Sequence, residues 1–164
     1  MNKKIIIIIA VLLATVSVSG CIKTPMDNIN DIIPGLTQSI ENGDSNYNEA
    51  VKYSNNRNYN TAEEKIQIAS TNFLAGQNKI LDIKKYRNDI NETLYIQYLD
   101  LVEEELKLKQ NATANLQLGI QAFKKGNKSL GNEYVTTANS IMRKAVSIQN
   151  QRENLVKNNP SKFK

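Results

Sequence analysis

The sequence predicts an all-α protein, built as an elongated antiparallel helical bundle. Three observations predict it. Proline occurs only at positions 25, 34 and 160, so nothing between Gly35 and Asn159 forbids a helix. Ile66, Ala69, Phe73, Gly76, Ile80 and Ile83 recur at alternating steps of three and four, the seam of an antiparallel bundle or coiled coil. Turn chemistry such as Gly126-Asn127 falls between the periodic stretches. No long β-branched alternation supports a strand.

A single helical domain is expected over residues 27–158. Its first amphipathic segment carries Ile29, Ile32, Ile33, Leu36 and Ile40. Pro34 fits if the regular helix begins near Asp31, since proline is tolerated in a first turn. Asn42-Gly43-Asp44 reads as a turn, followed by a short helix at 45–56. Asn60 with Glu63 forms a candidate capping box, and Asp89 with Glu92 a second. A long helix then runs to about Lys125, with Tyr95, Leu99, Val102, Leu106, Leu116, Ile120 and Phe123 on one broad face. Gly126 supplies a left-handed C-cap and Asn127 the next N-cap. The last helix carries Leu130, Tyr134, Ala138, Ile141, Ala145, Ile148 and Leu155. Residues 159–164 read as a disordered tail.

The chain opens differently. Asn2, Lys3 and Lys4 precede a nearly unbroken apolar run from Ile5 to Val18, with five consecutive isoleucines. Fourteen helical residues span only about 21 Å, short of a hydrocarbon core of about 30 Å. The order of charge, apolar run and small residues is that of a secretory signal. Val18-Ser19-Gly20-Cys21 closes it and holds the only cysteine. These four residues resemble a lipobox. The resemblance implies a secreted lipoprotein, cut before Cys21 and lipidated there. Residues 1–20 are then the signal peptide and 21–26 a lipidated tether. Two acyl chains hold a protein on a membrane where one holds it marginally. The alternative is an uncleaved anchor. Either way, Lys3 and Lys4 stay inside, and the rest of the chain lies on the extracytoplasmic face of the cell membrane.

Removing residues 1–20 leaves 144 residues, with 19 basic and 16 acidic, a net charge of +3. No basic block suggests nucleic acid. One cysteine allows no disulfide framework. Without histidine the usual zinc, copper and haem ligand sets are missing.

Two stretches echo one another at an offset of 69 residues. The first contains Ala50, Tyr53, Tyr59, Ala62, Ile66 and Ala69; the second contains Leu118, Gly119, Ala122, Gly126, Gly131, Val135 and Ala138. Both place small residues before a tight turn, then small and branched residues on a returning helix. The pattern resembles the tetratricopeptide helix-turn-helix over roughly 47–73 and 116–145, which implies tetratricopeptide-like hairpins inside the bundle. The family's Trp and closing Pro are missing. Close packing of any antiparallel helix pair selects the same small residues.

The candidates for chemistry are few. Asp44-Ser45-Asn46-Tyr47-Asn48 starts like a calcium loop, but Glu49 replaces the glycine such loops need and Asn55 the closing Glu. Consecutive helical residues diverge by about 100°, so Glu103-Glu104-Glu105 cannot converge on a metal. They read as a solvated face supported by Lys107 and Lys109. Tyr95, Tyr98 and Tyr134 read as core-edge residues with wet hydroxyls. Asn91, Asn111 and Asn127 head N-glycosylation sequons. No histidine is present for a hydrolase triad.

The expectation is therefore a non-enzymatic, lipid-anchored helical protein that acts as an interaction or scaffold module of the cell envelope. It needs no cofactor or metal and binds the membrane through Cys21. Its partner is an envelope protein, or a second copy in an oligomer, and not nucleic acid. A small-solute-binding accessory lipoprotein is the alternative.

Overall fold

The computed structural model describes residues 23–90 and 92–163. Among them the protein is an all-α bundle of four helices: α1 (Pro25–Asn55), α2 (Tyr59–Lys84), α3 (Thr93–Lys124) and α4 (Lys128–Asn158). A short 3₁₀ turn, Arg87–Asp89, lies between α2 and α3. At 1.5 Å per residue the 31 residues of α1 extend about 46 Å. Each helix packs mainly on the next in sequence, and α1 touches α3 only lightly.

The start of α1 is set by its cap. Thr24 Oγ1 accepts from the Asp27 N–H at 3.1 Å, and the Asp27 carboxylate accepts from the Thr24 N–H at 2.9 Å. Pro25 sits in the first turn, where its missing N–H costs nothing. The helix thus begins inside the stretch expected to be tether. It then runs unbroken through Pro34 and Gly43. The expected turn at Asn42-Gly43-Asp44 does not form. Gly43 is instead buried in mid-helix against α2, where a Cβ would lie 2.4 Å from Phe73 Cε1. Its lack of a side chain lets two helices approach, the other common use of glycine.

The seam Ile66, Ala69, Phe73, Gly76, Ile80 and Ile83 is buried in full on α2. That helix is capped by Asn58, whose side chain accepts from the Thr61 N–H, and not by Asn60. Glu63 turns away to Lys124 and Gln121 of α3. The N-cap of α3 is Glu92, without a side-chain bond, so the second capping box is also absent. Polar ties run along the α2–α3 interface: Arg87 to Asp100 at 2.6 Å, Lys84 to Glu103, and Gln110 Nε2 to Ser70 Oγ at 2.8 Å.

The echo at 69 residues is a repeat of turn geometry. Both hairpins end their first helix in a Schellman motif. The Asn58 N–H donates to the Tyr53 carbonyl and the Arg57 N–H to Ser54; the Asn127 N–H donates to Ala122 and the Gly126 N–H to Phe123. Asn58 and Asn127 then cap the returning helices through their side chains. The left-handed position holds Gly126 at φ 78° in one turn and Arg57 at φ 59° in the other.

The last helix is held on α3 by small residues. Gly131, Ala138 and Ala145 are its buried positions. Leu130, expected on the packed face, is 38% exposed. The expected disordered tail folds back over 159–163, and Phe163 is buried against α3.

Candidate functional site

Cys21 and Asn91 lie outside the described residues. Asn111 is exposed in mid-α3, and its Oδ1 accepts from Asn115 Nδ2 at 2.9 Å. Asn127 is exposed at the turn, with Oδ1 committed to the Leu130 N–H at 3.1 Å. The two sequons are not brought together. Asp44 to Asn48 are consecutive residues of α1, so their oxygens point apart. Among the described residues no group of three or more carboxylate, histidine or cysteine side chains is placed to hold a metal.

The glutamate trio corrects the sequence reading. Glu105 is not on a solvated face; it is 0% exposed, and Lys109 is 1% exposed. Glu105 Oε1 lies 2.8 Å from Lys109 Nζ, and Oε2 accepts from Arg152 Nε of α4 at 2.9 Å. Lys109 Nζ also meets Asp44 of α1 at 2.7 Å and lies 5.8 Å from the Phe73 ring centroid on α2. Arg152 donates to the Tyr98 hydroxyl at 3.1 Å. Two anions and two cations thus form one neutral chain that joins α1, α3 and α4. Burial pushes the Asp44 carboxyl above its usual range, and Lys109 partly opposes it. Burial likewise pushes the Tyr98 hydroxyl up, against the pull of Arg152.

A buried ion pair seldom adds net stability over a well-packed apolar pair, but removing one partner is costly. Glu105 is sealed from solvent and so cannot meet a substrate.

A signal for the burial of Lys109 was in the sequence. The apolar seam of α3 lapses between Leu106 and Leu116, and the seam positions between them are filled by Lys109, Ala112 and Thr113, all buried. A seam that resumes in phase implies that its polar residues are buried too.

The tyrosines divide. Tyr95 and Tyr134 are half-buried, as expected of core-edge residues, but Tyr98 lies in the core with its hydroxyl bonded to Arg152, and the Tyr95 hydroxyl is bonded to the Lys162 carbonyl. Tyr47 is buried with a hydroxyl that has no hydrogen-bond partner. Tyr59 stacks on Phe123 with ring centroids 5.7 Å apart. Large apolar side chains are exposed on α2 at Leu74 (50%) and Leu81 (55%), seven residues apart on one face. An open depression lined by Glu63, Gln121, Lys124 and Lys125 lies at the hairpin end. Among the described residues no helix is long and apolar enough to cross a membrane.

No described protein family and no curated protein matches the chain.

Proposed function

We propose that the protein is a lipoprotein held by lipid on Cys21 to the extracytoplasmic face of the cell membrane. In this reading its helical domain is an interaction or scaffold module for another envelope protein. The observation that supports it most is one of spacing. The candidate anchor at Cys21 stands four residues before Pro25, where a helix of about 46 Å begins. An anchor so close to a long rod holds one end at the membrane and carries the two hairpin turns away from it. The tetratricopeptide-like reading of the hairpins belongs to this proposal, because paired helices of that kind present extended faces to partners. The exposed Leu74 and Leu81 supply apolar surface for such a contact. The buried charges sit within the packing, where they hold alignment and turn over no substrate.

Crosslinking on intact cells, followed by identification of the adducts, tests the proposal. Specific adducts with an envelope protein, lost when Cys21→Ala frees the domain, are the expected result. Monomer alone, from protein that carries lipid at Cys21, would overturn the interaction reading.

A further inference from the structure

Residues 162 and 163 pack on Glu92 and the first turns of α3. Phe163 is 7% exposed, with its ring centroid 4.9 Å from Tyr95 and 5.7 Å from Tyr98. The Tyr95 hydroxyl donates to the Lys162 carbonyl at 2.5 Å. The Lys162 ammonium reaches the Glu92 carboxylate at 2.8 Å. Three different groups of the segment are therefore held: a ring, a backbone carbonyl and a cation. Together they read Lys-Phe in one direction.

The hinge is slight. Only Asn159, Pro160 and Ser161 separate the end of α4 from Lys162. Within the hinge, the Lys162 N–H donates to the Asn159 carbonyl. Straightening it gives up that one backbone bond, and three extended residues reach about 10 Å. Every contact of the seat is made between segments 65 or more residues apart in sequence. A second copy offers the same segment with the same chemistry, and exchange of an identical element is a low-cost route to a closed dimer.

We infer that the seat formed by Glu92, Tyr95 and Tyr98 takes the 159–163 strap of a second copy of this chain, so that two molecules exchange their tails reciprocally. The strap closes on its own seat when the protein is dilute and crosses to a neighbour as the protein becomes concentrated. The exchange does not depend on how Cys21 is modified.

Single cysteines test it in full-length chains carrying Cys21→Ser. One chain carries Glu92→Cys and the other Lys162→Cys. They are mixed in equal amounts and oxidised at rising concentration. The expected product is the 92–162 mixed disulfide, at least about tenfold above either like-with-like disulfide, rising with concentration and lost when Phe163→Ala is added. Random pairing of the three products, or pairing insensitive to Phe163→Ala, overturns the inference. A control chain carries both cysteines and is oxidised when dilute. Its internal disulfide is expected, and failure to form one removes the seat itself and overturns the inference as well.

Discussion

Replacing Glu105 by Met removes the anion that two cations share. Lys109 keeps only Asp44, and Arg152 keeps only the Tyr98 hydroxyl. Lys109 is 1% exposed and cannot turn to water. Breaking a buried pair by removing one partner costs about 3–5 kcal/mol, a large share of the roughly 5–15 kcal/mol that holds a typical domain folded. For a domain of this size the melting temperature should fall by roughly 10–15 °C. The combined change, Glu105→Met with Lys109→Met, removes both sealed charges and fills the site with chains of similar length. Asp44 and Arg152 are more open, with side chains 36% and 14% exposed, and can rehydrate. The double variant should therefore be more stable than the sum of the single losses predicts, by about 1–3 kcal/mol. Urea unfolding followed by helical circular dichroism at neutral pH measures all three. A loss below about 1 kcal/mol for Glu105→Met, or strict additivity in the double variant, would refute the reasoning.

Other outcomes follow from single sites. Tyr47→Phe removes a buried hydroxyl without a partner and should stabilise by about 1–2 kcal/mol. Burial pushes the Tyr47 hydroxyl up to about 12 from its ordinary 10.0, so the unfolded chain ionises first and stability falls as pH rises between these two values. A high-pH melt should show a smaller loss in Tyr47→Phe than in the native chain, because the raised Tyr98 hydroxyl still contributes. Along the α2–α3 interface, hydrogen bonds from Lys107 and Lys84 hold Glu103 below its ordinary value, and Arg87 does the same for Asp100. Both contribute stability above the ordinary carboxylate range that is lost as pH falls below it; Glu103→Gln should flatten that acid limb in a pH series of melts. Gly43→Ala should cost about 1–3 kcal/mol through its clash with Phe73 and be partly rescued by Phe73→Leu. Arg57→Gly should stabilise by about 0.5–1 kcal/mol, because it relieves a left-handed backbone where Gly126 stands in the matching turn.

Patterns that repeat along the chain were legible, and exceptions to them were not. Six residues of the α2 seam were named from spacing alone and all six are buried. The left-handed Gly126 and the Asn127 cap follow from turn chemistry that acts within a few residues. Gly43 shows where local reading ends. Its neighbours Asn42 and Asp44 favour a turn, but helix packing against Phe73 makes the same glycine a contact point. Glu105 shows the same limit from the other side: a carboxylate looks solvated until Arg152, 47 residues away, arrives to pair with it. The fold-back of Phe163 was hidden because its seat lies nearly 70 residues upstream. Sequence alone could name Cys21 as a candidate anchor and three asparagines as sequons. It could not name the charge chain or the strap, both made by residues far apart in sequence.

The account stands or falls on the covalent state of Cys21. Mass spectrometry of the protein extracted from membranes reads it directly. The account predicts a mature N-terminus at Cys21 that carries lipid. An intact Met1, or an unmodified Cys21, would contradict it.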